Sequence, residues 1–214
     1  MTYTKPTLKN EMINFLRNSD VFTIAERGVT TKTDTGTFTT ETTYTVSTSP
    51  TKLKNIRSVF VGTTLKYGRD YSFSFETGVI SFVSAQNGAY TIIYDYGNTE
   101  KIYPDFPRDD LQLSSYPRLA VDIIDKIEDV FGVGGDLFIA DTLFTIVLYS
   151  ESYDYLESHL VTIEQLLRTN AKNFYNTPFV KPIGRGPILK SDNRSQVLLQ
   201  CNVDCLAMFE VQSG

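Results

Sequence analysis

Tryptophan is absent from this sequence, and histidine occurs only once among its 214 residues. That histidine, His159, lies one turn after Leu156 in a predicted helix, which favours a place on the helix flank over a catalytic role. No phosphate-binding pattern of the type Gly-x-x-x-x-Gly-Lys-Ser/Thr occurs. A pair of carboxylates that meets only in space stays open, but no feature selects one. We therefore predict that the protein is not an enzyme and holds no cofactor.

Cysteine is also scarce, since only Cys201 and Cys205 are present. They lie four residues apart in an alternating segment that predicts a strand. Four strand residues span about 13 Å, which exceeds the Cα separation of roughly 7 Å that a disulfide can bridge. We expect both thiols to be small apolar core residues on one face. Because His159 is the only histidine in the sequence, a metal site that uses the two cysteines is not predicted.

Long apolar runs are missing too. No stretch of about 18 apolar residues occurs, so no segment is expected to span a membrane. The N-terminal sequence lacks the apolar core of a signal peptide, and we expect the protein to be made and used in a cytosol or in an assembly built there. The net charge is −5, and residues 101–214 hold 16 Asp/Glu against 10 Lys/Arg. An acidic surface of this kind would let DNA pass without binding it.

The clearest pattern is a strand followed at once by a long helix, within 141–170. Apolar residues line both faces of the strand around 143–149, which is typical of a strand covered on both sides. In the helix, apolar residues recur at steps of four, three and four: Leu156, Leu160, Ile163 and Leu167. A second, N-terminal helix is predicted through about Arg17. Together these elements indicate a mixed α/β domain.

Between the two helices, 21–97 is rich in threonine, tyrosine and phenylalanine with period-two alternation. Glycine turns are predicted at Asp34–Gly36, at Thr77–Gly78 and at Asn87–Gly88. This spacing indicates a small antiparallel β-sandwich or barrel. Its aromatic residues either fill its own core or bind a glycan, in which case we would choose Tyr71, Tyr90, Tyr94 and Tyr96.

Two segments look suited to contacts with other chains. The connector 97–116 is stiffened by prolines and carries Arg108, Asp109 and Asp110, with Arg118 just beyond it. The second segment, 173–194, is rich in proline and glycine and predicts a solvated loop or a protein contact surface. Its basic residues are Lys181, Arg185, Lys190 and Arg194.

Several short sequences resemble tail-terminator proteins of long-tailed phages and archaeal tailed viruses. They are Pro104–Arg108, Ser115–Arg118, the strand Asp141–Tyr149 with its helix, Asn173–Tyr175 and Pro182–Pro187. None is catalytic, and the resemblance covers about 101–214 plus the N-terminal helix. It implies an α+β fold in which helices pack on one face of a small mixed sheet. The domains would be 1–20 with 99–214, and 21–98 as an inserted β lobe.

The resemblance also implies a function. Six copies would form a ring at the head–tail junction of a virion, where the ring caps the tail tube and joins it to the head connector. The partners would be the tail tube protein and a connector or stopper protein, and DNA would be passing cargo only. The interface would include these residues: Arg108, Asp109, Asp110, Arg118, Lys181, Arg185, Lys190 and Arg194.

Other functions fit the same sequence. Within a virion, the chain could be a stopper or head-completion protein, or a tail tube subunit that stacks repeatedly instead of stopping after one ring. A carbohydrate-binding module that uses the tyrosines of the lobe is the alternative from a different class.

Overall fold

The computed structural model describes residues 5–47, 53–67, 70–74, 77–103, 116–130, 137–174, 177, 179–193 and 196–212. They form an α+β fold with two separate β-sheets, which confirms the predicted fold class. The chain divides into two compact units. We call Phe22–Glu100 the lobe, and Met1–Val21 with Lys101–Gly214 the main unit. The sequence analysis places the lobe at 21–98.

The main unit contains two of the helices and one mixed sheet. Helices and strands are numbered in chain order: α1 (Lys5–Asn18), β6 (Ile102–Tyr103), β7 (Arg118–Val130), β8 (Leu137–Ser150), α3 (Tyr153–Thr169), β9 (Phe179–Arg185), β10 (Leu189–Asn193) and β11 (Gln196–Gln212). The strand order is β10-β11-β8-β7-β6, and β9 also pairs with β11. Among the described strands of this sheet, the short β6–β7 pair is parallel and the other pairs are antiparallel.

Helix α3 follows β8 almost directly, as the sequence predicts. The Ser152 hydroxyl accepts a hydrogen bond from the Tyr155 backbone N–H and caps the helix. The predicted apolar stripe is confirmed, because all four of its residues are fully buried: Leu156, Leu160, Ile163 and Leu167. The helix packs against β8, β9 and β11, and α1 packs against β6 and β7. The middle of β8, 144–148, is buried on both faces, also as predicted.

The two cysteines lie on one face of β11. Cys201 and Cys205 are free thiols, and both are buried. Burial raises the pKa of the Cys205 thiol, so this group stays protonated and apolar at neutral pH. The prediction that they are core residues without a disulfide is confirmed.

The lobe is one antiparallel sheet with a single helical turn at its start. Its elements are α2 (Ile24–Arg27), β1 (Val29–Thr45), β2 (Leu53–Val61), β3 (Thr64–Lys66), β4 (Tyr71–Phe73) and β5 (Val79–Gly97). The order is β1-β5-β2-β3, and β4 pairs with the first part of β5. The turn α2 has a capping box between Thr23 and Glu26, a spacing that is visible in the sequence but was not predicted.

Strands β1 and β5 bend sharply, and the sheet therefore closes around one core. Phe38 is opposite Gly88 in the β1–β5 pairing, yet its ring contacts Phe82 at a centroid distance of 5.4 Å. In a straight strand, Phe82 and Gly88 would be about 20 Å apart. Register shifts follow Thr39 in the pairing, and Thr40 has a φ of +104°. The predicted sandwich or barrel is thus a single curled sheet.

The turns predicted at Asp34–Gly36 and Asn87–Gly88 are wrong, because both glycines lie inside strands. Gly36 lies in β1 opposite Tyr90, and a Cβ at this position would lie 2.7–2.8 Å from atoms of the Tyr90 ring. Gly88 lies in β5 with a φ of +106°, which favours glycine near the bend. The turn at Gly78 is confirmed, since its N–H donates to the Ser74 carbonyl.

The segment 173–194 also differs from its prediction, because most of it forms strands β9 and β10 rather than a loop. Pro182 lies in β9 next to a register shift, where a proline is tolerated. The glycine-rich sequence 131–136 and most of the connector, 104–115, lie outside the described residues. No helix in the described part of the chain is long and apolar enough to cross a membrane.

The buried stripe of α3 generates a first prediction. Leu160→Ala removes a fully buried side chain, and we expect it to lower the free energy of unfolding by about 2–5 kcal/mol. Val161→Ala is the matched control, because Val161 is 37% exposed and should change that free energy by less than about 0.5 kcal/mol. Urea denaturation of the full chain measures both. Equal effects for the two variants would contradict the packing described here.

Candidate functional site

The predicted interface residues fall into two groups. Four of them lie outside the described residues, and the structure therefore places none of these: Arg108, Asp109, Asp110 and Arg194. The other four are in the main unit: Arg118, Lys181, Arg185 and Lys190. Of these, Lys181, Arg185 and Lys190 come together on β9 and β10, while Arg118 begins β7 on the other side of the sheet.

Strands β9 and β10 form one edge of the main sheet. They pair with consecutive parts of β11, β10 with 196–200 and β9 with 203–208. Lys181 and Lys190 are exposed on this edge. Two large apolar side chains are exposed there as well, Ile183 at 52% and Leu189 at 55%. We call 179–193 the basic edge, and it is the candidate functional site because exposed apolar residues among charged ones are typical of protein contacts.

Arg185 fixes the basic edge to helix α3. Its guanidinium donates hydrogen bonds to Glu164 and to Glu157, the latter at 2.6 Å. The hydrogen bonds from Arg185 to Glu164 and Glu157 raise its pKa further, against the effect of burial. Arg185 is therefore a residue that positions the edge strand, and its charge is already balanced within the chain. Lys181 is the exposed cation next to it along β9.

Arg118 lies in a different environment. It is only 6% exposed, and its guanidinium carbon is 5.8 Å from the centre of the Tyr103 ring, as in a cation–π contact. Lys101 is buried nearby, and burial together with the positive charge of Arg118 lowers its pKa. Arg118 is thus held inside the main unit, where it cannot reach another chain without rearrangement.

The lobe contains a buried charge network that sequence reasoning missed. Arg27 is fully buried, and its Nε and Nη2 donate to the two oxygens of Glu100 at 3.0 and 2.9 Å. Its Nη1 donates to Asp95 at 2.9 Å. The second oxygen of Asp95 accepts from Arg57 and Thr31, each at 2.7 Å. The sequence gives little signal for this network, because Arg27 and its acidic partners are 68 and 73 residues apart.

The hydrogen bonds and ion pairs of this network offset the effect of burial on the pKa values of Arg27 and Asp95. Burial alone would raise the pKa of Asp95, but the hydrogen bonds from Arg57 and Thr31 and the charge of Arg27 lower it overall. Burial likewise opposes the charge of Arg27, whereas Glu100 and Asp95 raise its pKa. These groups therefore stay charged and mutually paired, which suits a structural role.

A second buried carboxylate, Asp34, accepts four hydrogen bonds. The hydroxyls of Tyr44 and Tyr94 donate to it at 2.9 Å each, and Ser47 donates from its N–H at 3.0 Å and its hydroxyl at 2.6 Å. Burial raises the pKa of Asp34, but the bonds from Ser47 and the tyrosines lower it to about 2. Asp34 lies within strand β1, whereas its sequence predicts a turn.

The Asp34 cluster also contains a serine–lysine pair, the combination that some hydrolases use as nucleophile and base. A base would need to accept the serine proton, yet here Lys32 donates to the Ser47 hydroxyl and lies 3.6 Å from Asp34. The Ser47 proton is directed to Asp34 instead. This geometry organises the lobe and does not activate Ser47.

His159 and the lobe tyrosines have structural contacts. The His159 ring stacks on Tyr155 at a centroid distance of 3.8 Å, on the flank of α3. Tyr94 is fully buried and unable to contact a glycan, while three other tyrosines are partly buried against the lobe core: Tyr71, Tyr90 and Tyr96. Within the described ranges, no group of three or more His, Cys, Asp or Glu residues could hold a metal ion.

Comparison with known proteins adds no further assignment. No protein-family model matches this sequence, and no curated protein matches it.

The Asp34 cluster predicts a specific pH dependence. The pKa of Asp34 is about 2 in the folded chain against 3.8 in the unfolded one, so its contribution to stability is present above pH 4 and is lost as the pH falls toward 2. We expect Asp34→Asn to be less stable than the wild type at neutral pH. The difference between their melting temperatures should shrink from pH 4 to pH 2. A difference that stays constant over this range would contradict the assignment.

The Arg27 network predicts a large effect from one substitution. Arg27→Met removes the guanidinium that pairs with two buried carboxylates, Glu100 and Asp95, and we expect it to cost about 3–5 kcal/mol of unfolding free energy. Arg57→Met should cost less, because it leaves the bond between Arg27 and Asp95 intact and its side chain is 17% exposed. Urea denaturation compares the two. If Arg57→Met lowered the free energy of unfolding as much as Arg27→Met, the ion pair between Arg27 and Glu100 would contribute nothing measurable to stability.

Proposed function

We propose that this protein is a virion structural protein, a tail terminator whose copies form a ring at the head–tail junction. In this proposal the ring, expected to hold six copies, caps the tail tube and meets the head connector or stopper protein. The observation that carries the proposal is the basic edge of the main sheet. Exposed lysines and exposed Ile183 and Leu189 give each copy a surface suited to another protein chain.

The arrangement of elements supports the same function. The main unit has a mixed sheet with α1 and α3 packed against it, and the lobe follows α1 in sequence and precedes β6. This is the element order that the resemblance implies for a terminator with an inserted lobe. Among the described strands the two sheets share no pairs, and the lobe forms a compact unit with a hydrophobic core of its own.

The polar chemistry of the described residues also favours a structural part. The buried charges of the lobe are paired with one another, and Arg185 is paired with α3. Such paired groups stabilise the elements that they join. The excess of acidic residues in 101–214 suits a passage through which DNA moves without adhering.

Sedimentation velocity over a concentration series tests this proposal, combined with electron micrographs of the heaviest species. We expect a closed ring of about six times 24.2 kDa with a central hole. Isolated tails are then mixed with the protein, which should bind at one end only. Long filaments would instead identify a tail tube subunit, and binding to the head but not to tails would identify a stopper protein.

The same preparation separates the proposal from its alternative of another class. A carbohydrate-binding module would remain a monomer, would ignore tails and would bind glycans on an array. That combination of results would contradict the terminator function. A protein that neither forms a ring nor binds tails would contradict it as well.

A further inference from the structure

The main sheet has a second edge, opposite the basic edge, at strand β7. On one side β7 pairs with β8 along its length. On the other side β6 pairs only with Leu119 and Ala120, and no strand among the described residues pairs with 121–130. We call 121–130 the acidic edge. The basic and acidic edges therefore lie at the two ends of one sheet.

The two edges carry opposite charges in the sequence. The basic edge, 179–193, contains three basic residues and one acidic residue, Asp192. Arg185 is already balanced by Glu157 and Glu164, so Lys181 and Lys190 carry the basic excess. Residues 122–129 contain one lysine and four acidic residues, namely Asp122, Asp125, Glu128 and Asp129. Lys9 lies 3.8 Å from Asp122 and balances one of these charges. In the sequence of 122–129 an acidic excess remains, and it complements the basic excess in the sequence of 179–193.

Each edge also has one bulge with an exposed isoleucine. The pairing of β9 with β11 shifts next to Ile183, which is 52% exposed. The pairing of β7 with β8 shifts at Ile124, which is 57% exposed. Bulges, lysines and prolines on edge strands are also means by which proteins prevent unwanted pairing. Such features discourage indiscriminate pairing, and they leave the edge open to a strand whose charges and shape are complementary.

The strand directions favour one particular partner. From β9 and β10 to β7 the sheet makes three antiparallel steps, through β11 and β8. Strand β7 therefore runs opposite to β9 and β10. If copies keep one orientation around a ring axis, the β7 of one copy meets the β9 and β10 of the next as an antiparallel pair, which is the more stable kind.

We infer that the basic edge of one copy docks on the acidic edge of the next copy. This inference rests on the proposed ring and names the surface that closes it. Two different surfaces on each subunit generate a ring when the rotation closes. A symmetric contact between two basic edges would instead bring lysines together, and like charges across an interface are costly.

Charge reversal on each edge tests the inference. The first variant carries Lys181→Glu and Lys190→Glu, and the second carries Asp125→Lys and Asp129→Lys. Lys172→Glu is the matched control, because Lys172 is an exposed lysine that lies outside both edges. Circular dichroism and thermal melting establish that every variant is folded. Sedimentation velocity then measures assembly of each full-length chain.

We expect the control to assemble like the wild type and each edge variant alone to associate at least about tenfold more weakly. An equimolar mixture of the two edge variants should assemble again. In an alternating ring of this mixture, the reversed edges meet each other at one contact, and two native edges meet at the next. A symmetric contact between basic edges predicts otherwise, because the second variant would then assemble by itself.

The failures of the two proposals give different results. If the wild type forms rings and both edge variants also do, the ring stands and the contact between the edges is wrong. If the edge variants fail and their mixture also fails, the two edges do not contact each other. If the wild type stays monomeric at every concentration and also fails to bind isolated tails, the ring is overturned and the edge contact with it.

Discussion

The lobe depends on the burial of one charge, that of Arg27. A guanidinium removed from water is tolerated only with full compensation, and two carboxylates from the end of the lobe provide it. Because Arg27 is near the beginning of the lobe and Glu100 is its last residue, the ion pair also joins the two ends. The Thr99 hydroxyl adds hydrogen bonds to the carbonyls of Arg27 and Gly28 at 3.0 and 3.1 Å. The entry and exit of this unit are thereby held side by side.

Periodicity predicted those elements whose sequence is determined by burial. The stripe of α3 and the doubly covered β8 follow directly from where water is excluded, so both could be predicted. Glycine was less informative, because Gly36 makes room for the Tyr90 ring inside a strand instead of forming a turn. The buried charge network could not be predicted, since its partners come together only through strand pairing between distant residues.

The candidate site was predicted in part, by its charge but not by its structure. The prolines and glycines of 173–194 indicated a loop, whereas pairing with the long strand β11 holds most of this segment as an edge. Lys181 and Lys190 are exposed there, but Arg185 is turned onto α3 by two glutamates. Basic residues that look equivalent in the sequence thus have different roles: the two lysines are exposed, and Arg185 joins β9 to α3. Only the packing of α3 beside β9 distinguishes them.

The two ends of the lobe are held next to each other, and this affects how such a chain can change during evolution. Val29 and Gly97 are paired neighbours near the two ends of the lobe, and the two sheets share no pairs among the strands that the structure describes. An inserted unit whose ends are adjacent can be gained, lost or exchanged as a whole, because a short connection between α1 and β6 can replace it in the main unit. Related chains could therefore share the main unit while carrying quite different lobes, or none.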